Sequence, residues 1–132
     1  MRLAQLVENL DAHYDGCRPG HDAPGCDPEI RALYCRAQEV EPGGLFVAVK
    51  GFTADGHDFI EQAVANGAVV VVCEQPVASD AVMIRVPNSR KALAQLAAVF
   101  YGDPSADLTV IAITGTNGKT TTSYLIESIL QA

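Results

Sequence analysis

Residues Leu45–Cys73 read LFVAVKGFTADGHDFIEQAVANGAVVVVC, and the fold turns on how this stretch divides. Leu45–Gly51 follows the breaker Pro42-Gly43-Gly44 and is nearly continuous in β-branched and aromatic residues, the pattern of a strand covered on both faces. Asp58 with Glu61 three residues on has the spacing of a capping box, and the helix it starts should end at Asn66-Gly67. Ala68–Cys73 is then a second buried strand. Short apolar strands separated by a helix point to an α/β architecture with a small mixed or parallel sheet and flanking helices.

The flanks repeat this rhythm. Leu3, Leu6, Val7 and Leu10 share one face of a short opening helix, and Ile30–Cys35 is a further apolar run. Tyr14–Pro28 between them is too dense in glycine, proline and aspartate for regular structure and reads as a surface loop. Val82–Val86 is a strand, and Pro87-Asn88-Ser89 a turn and cap into a helix whose apolar face is Leu93, Leu96, Ala97 and Phe100. Tyr101–Asp107 breaks that helix; Leu108–Gly115 is strand-like again, and Leu125, Ile126, Ile129 and Leu130 have helical spacing.

Composition narrows the class. The 132 residues are 48% hydrophobic and 19% charged, as in a folded domain that buries a core. Nine basic residues against sixteen acidic ones give a charge of -7, which excludes a general nucleic-acid surface. No apolar run reaches membrane-spanning length and the N-terminus is charged where a signal peptide is apolar, so no membrane insertion is expected and the cytoplasm is the default location. Cys17, Cys26, Cys35 and Cys73 contain no CxxC pair; with His13 and His21 the first two match no zinc pattern, and all four read as reduced thiols.

The chemistry is concentrated in Thr114–Thr122, TGTNGKTTT. A strand that ends in a glycine turn and enters a helix aims backbone N–H groups and the positive end of the helix dipole at one point, which suits an anion. Gly115 and Gly118 let the backbone approach phosphate oxygens, Lys119 reaches the β and γ phosphates, and the Thr120 hydroxyl is placed to ligate magnesium. The general phosphate-loop pattern wants glycine at position 113, where this chain has Ile113. A plain turn leaves the lysine and the three threonines that follow it unexplained.

These residues together resemble the Mur ligases, the ATP-dependent amide ligases that build the peptidoglycan stem peptide. TGTNGKTTT is similar to that family's ATP loop, which lacks the first glycine, and Glu39–Val72 to the N-terminal domain that recognises the uridine diphosphate (UDP) part of the substrate. Arg90–Thr122 resembles most the MurE type, which adds a diamino acid to UDP-N-acetylmuramoyl-L-alanyl-D-glutamate. The MurF type, which adds D-Ala-D-Ala and shares DGHDFI, is the alternative; the FYGDPS linker and Thr116 stand against it.

The resemblance implies ATP and Mg2+ as cofactors and a UDP-N-acetylmuramoyl-dipeptide and a diamino acid as partners. ATP would phosphorylate the substrate carboxylate, and the amine of the diamino acid would attack the acyl phosphate. It further implies that Gly115, Thr116, Asn117, Gly118, Lys119, Thr120 and Thr121 hold the triphosphate, with Lys119 catalytic and Thr120 on the metal. The UDP moiety would meet Cys35, Ala37, Phe52, Thr53 and Ala54. One departure stands out: where these ligases carry Asp-Ser-Arg, this chain has Arg36, Ala37 and Gln38, so backbone amides and Arg36 would replace the serine hydroxyl. Asp55 and His57 read as turn residues rather than acid–base groups.

Residues 1–103 are therefore expected to form the recognition domain and 107–132 the start of a truncated ATP-binding domain, with a fragment of this extent inactive as a ligase. A stand-alone module that binds UDP-sugar or nucleotide without turnover is the other reading.

Overall fold

The computed structural model describes residues 1–15, 19, 25–51 and 54–132. Among them, five strands form one sheet: β1 (His13–Asp15), β2 (Ala32–Tyr34), β3 (Gly44–Val47), β4 (Ala68–Cys73) and β5 (Val82–Arg85). Their spatial order is β1-β5-β4-β3-β2; β2 to β5 are parallel neighbours in chain order, and β1 closes the far edge antiparallel to β5. The helices are α1 (Leu3–Leu6), α2 (Ile60–Ala65), α3 (Ser89–Tyr101) and α4 (Lys119–Leu130).

Strand alternation sorts the core into two layers. Leu45, Val47, Val70, Val72 and Ile84 face one side, with Leu3 and Leu6 of α1 and Ala92 and Leu96 of α3. Phe46, Ala48, Val71, Cys73 and Met83 face the other, with Ile60 and Ala63 of α2 and Ala37 and Val40 of the 3-10 turn after β2. The sheet is thus covered on both faces, which is why β3 and β4 read as unbroken apolar runs. The segments joining β2, β3, β4 and β5 pack on the α2 side, as same-handed crossovers between successive parallel strands require.

Glycine decides two junctions. Gly67 follows α2 with φ +107, and a Cβ there would lie 2.8 Å from the Pro42 Cα. Gly102 ends α3 at φ 77; its N–H donates to Val99 O and that of Asp103 to Ala98 O, the paired bonds of a Schellman stop.

Several expectations need correction. The first helix spans only Leu3–Leu6, although Val7 and Leu10 still pack with its face. The presumed loop from Tyr14 starts with β1, an edge strand too short and polar to show a period of two. The helix before Gly67 is capped by Asp55, whose carboxylate accepts from His57 N, and opens with a 3-10 turn, Gly56–Phe59; Asp58 lies inside that turn. Residues 109–115 form no strand: a strand exists by pairing, and the described residues offer this stretch no partner. Cys26 is buried and disulfide-bonded, against the expectation of a reduced thiol, whereas Cys35 and Cys73 are free.

The chain after α3 differs from the rest in exposure. Ile113 and Ile126 are partly buried, while Leu108, Val110, Tyr124, Leu125, Ile129 and Leu130 are each at least 60% exposed.

Candidate functional site

Parallel strands place their C-terminal ends, and the loops that follow, along one edge of a sheet, where α/β proteins bind ligands. Here that edge carries Cys35 after β2, the Lys50–Asp55 loop after β3, Glu74 after β4 and Val86–Asn88 after β5. Of the expected UDP contacts, Cys35 and Ala37 follow β2, Ala54 belongs to the loop after β3, and Phe52 and Thr53 lie outside the described residues.

These residues differ in what they can offer. Cys35 is an exposed free thiol and Ala54 is exposed. Ala37 is 2% exposed, and its carbonyl accepts from Asn66 Nδ2 at 2.8 Å, so its side chain and oxygen are committed to the fold. Arg36 projects into solvent and pairs with Glu39 at 3.1 Å, leaving a cationic group on this edge in partly neutralised form. Gln38 lies within the same 3-10 turn.

The loop after β3 is a stem closed by two hydrogen bonds, Gly51 N donating to Ala54 O (2.9 Å) and Gly56 N to Val49 O (3.0 Å), which together make Lys50 and Asp55 an antiparallel bridge pair. Asp55 accepts from both the backbone N–H and the ring Nδ1 of His57, the latter at 2.6 Å. The side-chain bond from His57, then the backbone bond, holds the Asp55 carboxyl below its usual range. His57 Nε2 accepts from Glu74 N at 2.9 Å, and Glu74 Oε1 accepts from the N–H and the hydroxyl of Ser89, both at 2.8 Å. The Ser89 backbone bond, followed by its hydroxyl, lowers the Glu74 carboxyl likewise. Burial pushes the Cys73 thiol up, so it is an inert core group.

Sequence reading missed Glu74, Ser89 and Arg90, whose guanidinium donates to Lys50 O at 2.8 Å. A carboxylate directly after a buried strand and a hydroxyl directly after a helix cap were the available signals. A cleft of about 500 Å³ opens on the same edge toward β1, lined by His13, Glu74, Arg85 and Pro87; none of the expected UDP contacts lines it.

The glycine-rich loop leads into α4. Gly115 has φ 152 and Gly118, the cap of α4, φ 76, both conformations that glycine adopts without strain. Lys119 Nζ turns back to donate to Gly115 O, and the Ser123 hydroxyl donates to Thr120 O. Thr116, Asn117 and Thr121 are exposed around this turn. Open backbone at Gly118, a lysine at the loop and a helix of three turns behind it fit a triphosphate. One threonine hydroxyl suits a Mg2+ whose other oxygens come from phosphate and water. No cluster of three His, Cys, Asp or Glu suited to a metal occurs among the described residues, and none of their helices is long and apolar enough to cross a membrane.

Residues 29–101 match the family model described as "Mur ligase family, catalytic domain". The chain is 46% identical over 129 residues to the UDP-N-acetylmuramoyl-L-alanyl-D-glutamate–2,6-diaminopimelate ligase of Halalkalibacterium halodurans, covering 98% of this chain and 26% of that protein. Among solved structures it is similar to MurF from Acinetobacter baumannii, with TM-score 0.70, 33% identity, and 96% of this chain and 26% of that one covered. It is also similar to the MurF ligase from Thermotoga maritima in complex with ADP, with TM-score 0.56, 39% identity, and 70% and 21% covered. The chain spans about a quarter of the length of the relatives it matches. The match over more than half of its residues shows that this chain belongs to the Mur ligase family.

Proposed function

We propose that this chain serves an ATP-dependent ligase that adds a diamino acid, as third stem-peptide residue, to UDP-N-acetylmuramoyl-L-alanyl-D-glutamate in peptidoglycan synthesis. In this reading residues 1–103 are the UDP-recognition domain and 107–132 open the ATP-binding domain. The observation that carries it is the 46% identity to a diaminopimelate ligase along 98% of the chain, phosphate loop included. The MurF type is the second reading, favoured by the structural likeness at 33% and 39% identity.

ATP, when bound with Mg2+, supplies the phosphoryl group that activates the substrate carboxylate. Gly115 to Thr121 offer backbone N–H groups to the phosphate oxygens at the positive end of α4. Lys119, once released from Gly115 O, would supply the cation that offsets charge on the transferred group, and Thr120 would contribute one oxygen to the metal. Cys35 and Phe52–Ala54 would contact the UDP moiety, with Arg36 as the cation near the diphosphate; Ala37, buried and with its carbonyl held by Asn66, would shape the turn that presents them. The location that fits a UDP-activated substrate is the cytoplasm; the disulfide at Cys26 runs against it, because thiols there are kept reduced.

Calorimetric titration with UDP-N-acetylmuramoyl-L-alanyl-D-glutamate, and separately with Mg-ATP, tests the reading. Saturable binding of the UDP ligand that weakens in Arg36→Ala supports it. Tight ATP binding without UDP binding favours a nucleotide-sensing module, and silence toward both ligands removes the assignment of Cys35, Arg36 and Ala54.

A further inference from the structure

We propose that His57 is a positioning residue for the uridine-diphosphate contact at Ala54: with Asp55 and the backbone of Glu74 it clamps one side of a loop stem that Arg90 holds from the other. This rests on the reading of the loop after β3 as part of the UDP site.

The geometry assigns the state of the ring. Glu74 N is a backbone amide and only donates, so His57 Nε2 at 2.9 Å is unprotonated; the ring proton sits on Nδ1 and is donated to Asp55 at 2.6 Å. Both nitrogens are therefore used, in a side chain only 10% exposed. A ring so committed has no proton to exchange with a substrate unless the clamp breaks, which separates positioning from acid–base work.

The clamp ties the stem to two rigid elements. Through Glu74 N the ring reaches the end of β4, a fully buried strand at Val70–Cys73, seventeen residues away in sequence. The Glu74 carboxylate is in turn held at the start of α3 by Ser89, which is wholly buried. On the other side Arg90, one residue further along α3, fixes Lys50 O. The stem itself has no slack at Gly56, where a Cβ would lie 2.6 Å from Val49 N. Ala54, whose carbonyl closes the stem by accepting from Gly51 N, is thereby held against movement relative to β4 and α3. Contacts made mostly by backbone need that fixity, because no long side chain compensates for a misplaced loop.

The test combines amide hydrogen exchange with titration by UDP-N-acetylmuramoyl-L-alanyl-D-glutamate, comparing the unsubstituted chain with His57→Ala. Loss of a clamp of this kind should speed exchange at the Gly51 and Gly56 amides about tenfold and weaken ligand binding about tenfold, with exchange at Val71 and Val72 unchanged. Unchanged exchange at Gly51 and Gly56 overturns the clamp whatever the ligand does. Faster exchange with unchanged affinity overturns the link to substrate and leaves a structural histidine. If the unsubstituted chain binds no UDP ligand, the UDP reading of the loop fails and takes the substrate role with it, while the exchange data still decide the clamp. Should His57→Ala fail to fold, Arg90→Gln removes the opposite tie from an exposed position and must give the same pair of changes; if it leaves both unaltered, the proposal falls.

Discussion

The Glu74–Ser89 pair is the sharpest point at which the energetics of this fold can be tested. Ser89 is the only polar residue among the buried ones described, and its N–H and hydroxyl both end on one carboxylate oxygen. A hydrogen bond to a charged group contributes about 1.5–3 kcal/mol, and because Glu74 itself is exposed the low end applies, so Ser89→Ala should cost about 1.5 kcal/mol. For a domain of this size that lowers Tm by about 6–12 °C. Glu74→Ala should cost more, since it strands two donors at the start of α3. In the double variant the hydroxyl is already gone, so the combined loss should fall short of the sum by about 1 kcal/mol. Urea unfolding of the four proteins of this cycle measures it. Additivity within about 0.5 kcal/mol would refute the reasoning. The pH dependence carries the same signature: the Glu74 carboxyl is lowered on folding from an ordinary 4.5, so its stabilisation is present above that value and is lost as pH falls through the lower folded value. Glu74→Gln should flatten the acid limb of a Tm–pH curve.

Gly67→Ala places a Cβ 2.8 Å from Pro42 Cα at φ +107 and should cost about 1–3 kcal/mol, read as a lower urea midpoint with an unchanged m-value. Asn88→Ala removes the cap that accepts from Lys91 N at 2.9 Å and should cost about 1 kcal/mol, whereas Asn88→Ser should recover most of it. Phe46→Ala, at a side chain 1% exposed in the α2-side core, should cost about 3–5 kcal/mol by thermal unfolding. Deleting residues 105–132 should leave the melting of residues 1–103 within about 0.5 kcal/mol, because α4 buries no residue; a larger loss would show that the two segments support each other.

What the sequence disclosed follows from where its signals are strong. Val70 to Cys73 are all buried, so β4 was legible to the residue, and Asn88 and Gly102 mark the ends of α3 by side-chain and backbone chemistry that only a few residue types supply. β1 was not legible: His13 and Asp15 are polar and exposed, and they join the sheet because Arg85 and Met83 stand opposite them, a fact of tertiary pairing rather than local preference. The same holds at the site. Asp55 and His57 were readable as a turn, but the His57 ring meets Glu74 N and Glu74 meets Ser89 only once two crossovers have brought β4 and α3 to one edge. The glycine loop lay at the other extreme, its residues readable by type and order while the strand expected before it finds no neighbour to pair with among the described residues.

The order in which the strands pair also bears on how the chain acquires its shape. Since β2, β3, β4 and β5 are neighbours in both sequence and space, a ribosome emits them in the order in which the sheet needs them, and each new strand finds its partner already in place. Only β1 must wait: Leu3 N bonds to Pro28 O early, but β1 has no partner until β5 has been made. β1 is thus fastened after the strands that follow it in the chain, and it covers with a short, polar strand the β5 edge that would otherwise stay open to a strand from another molecule.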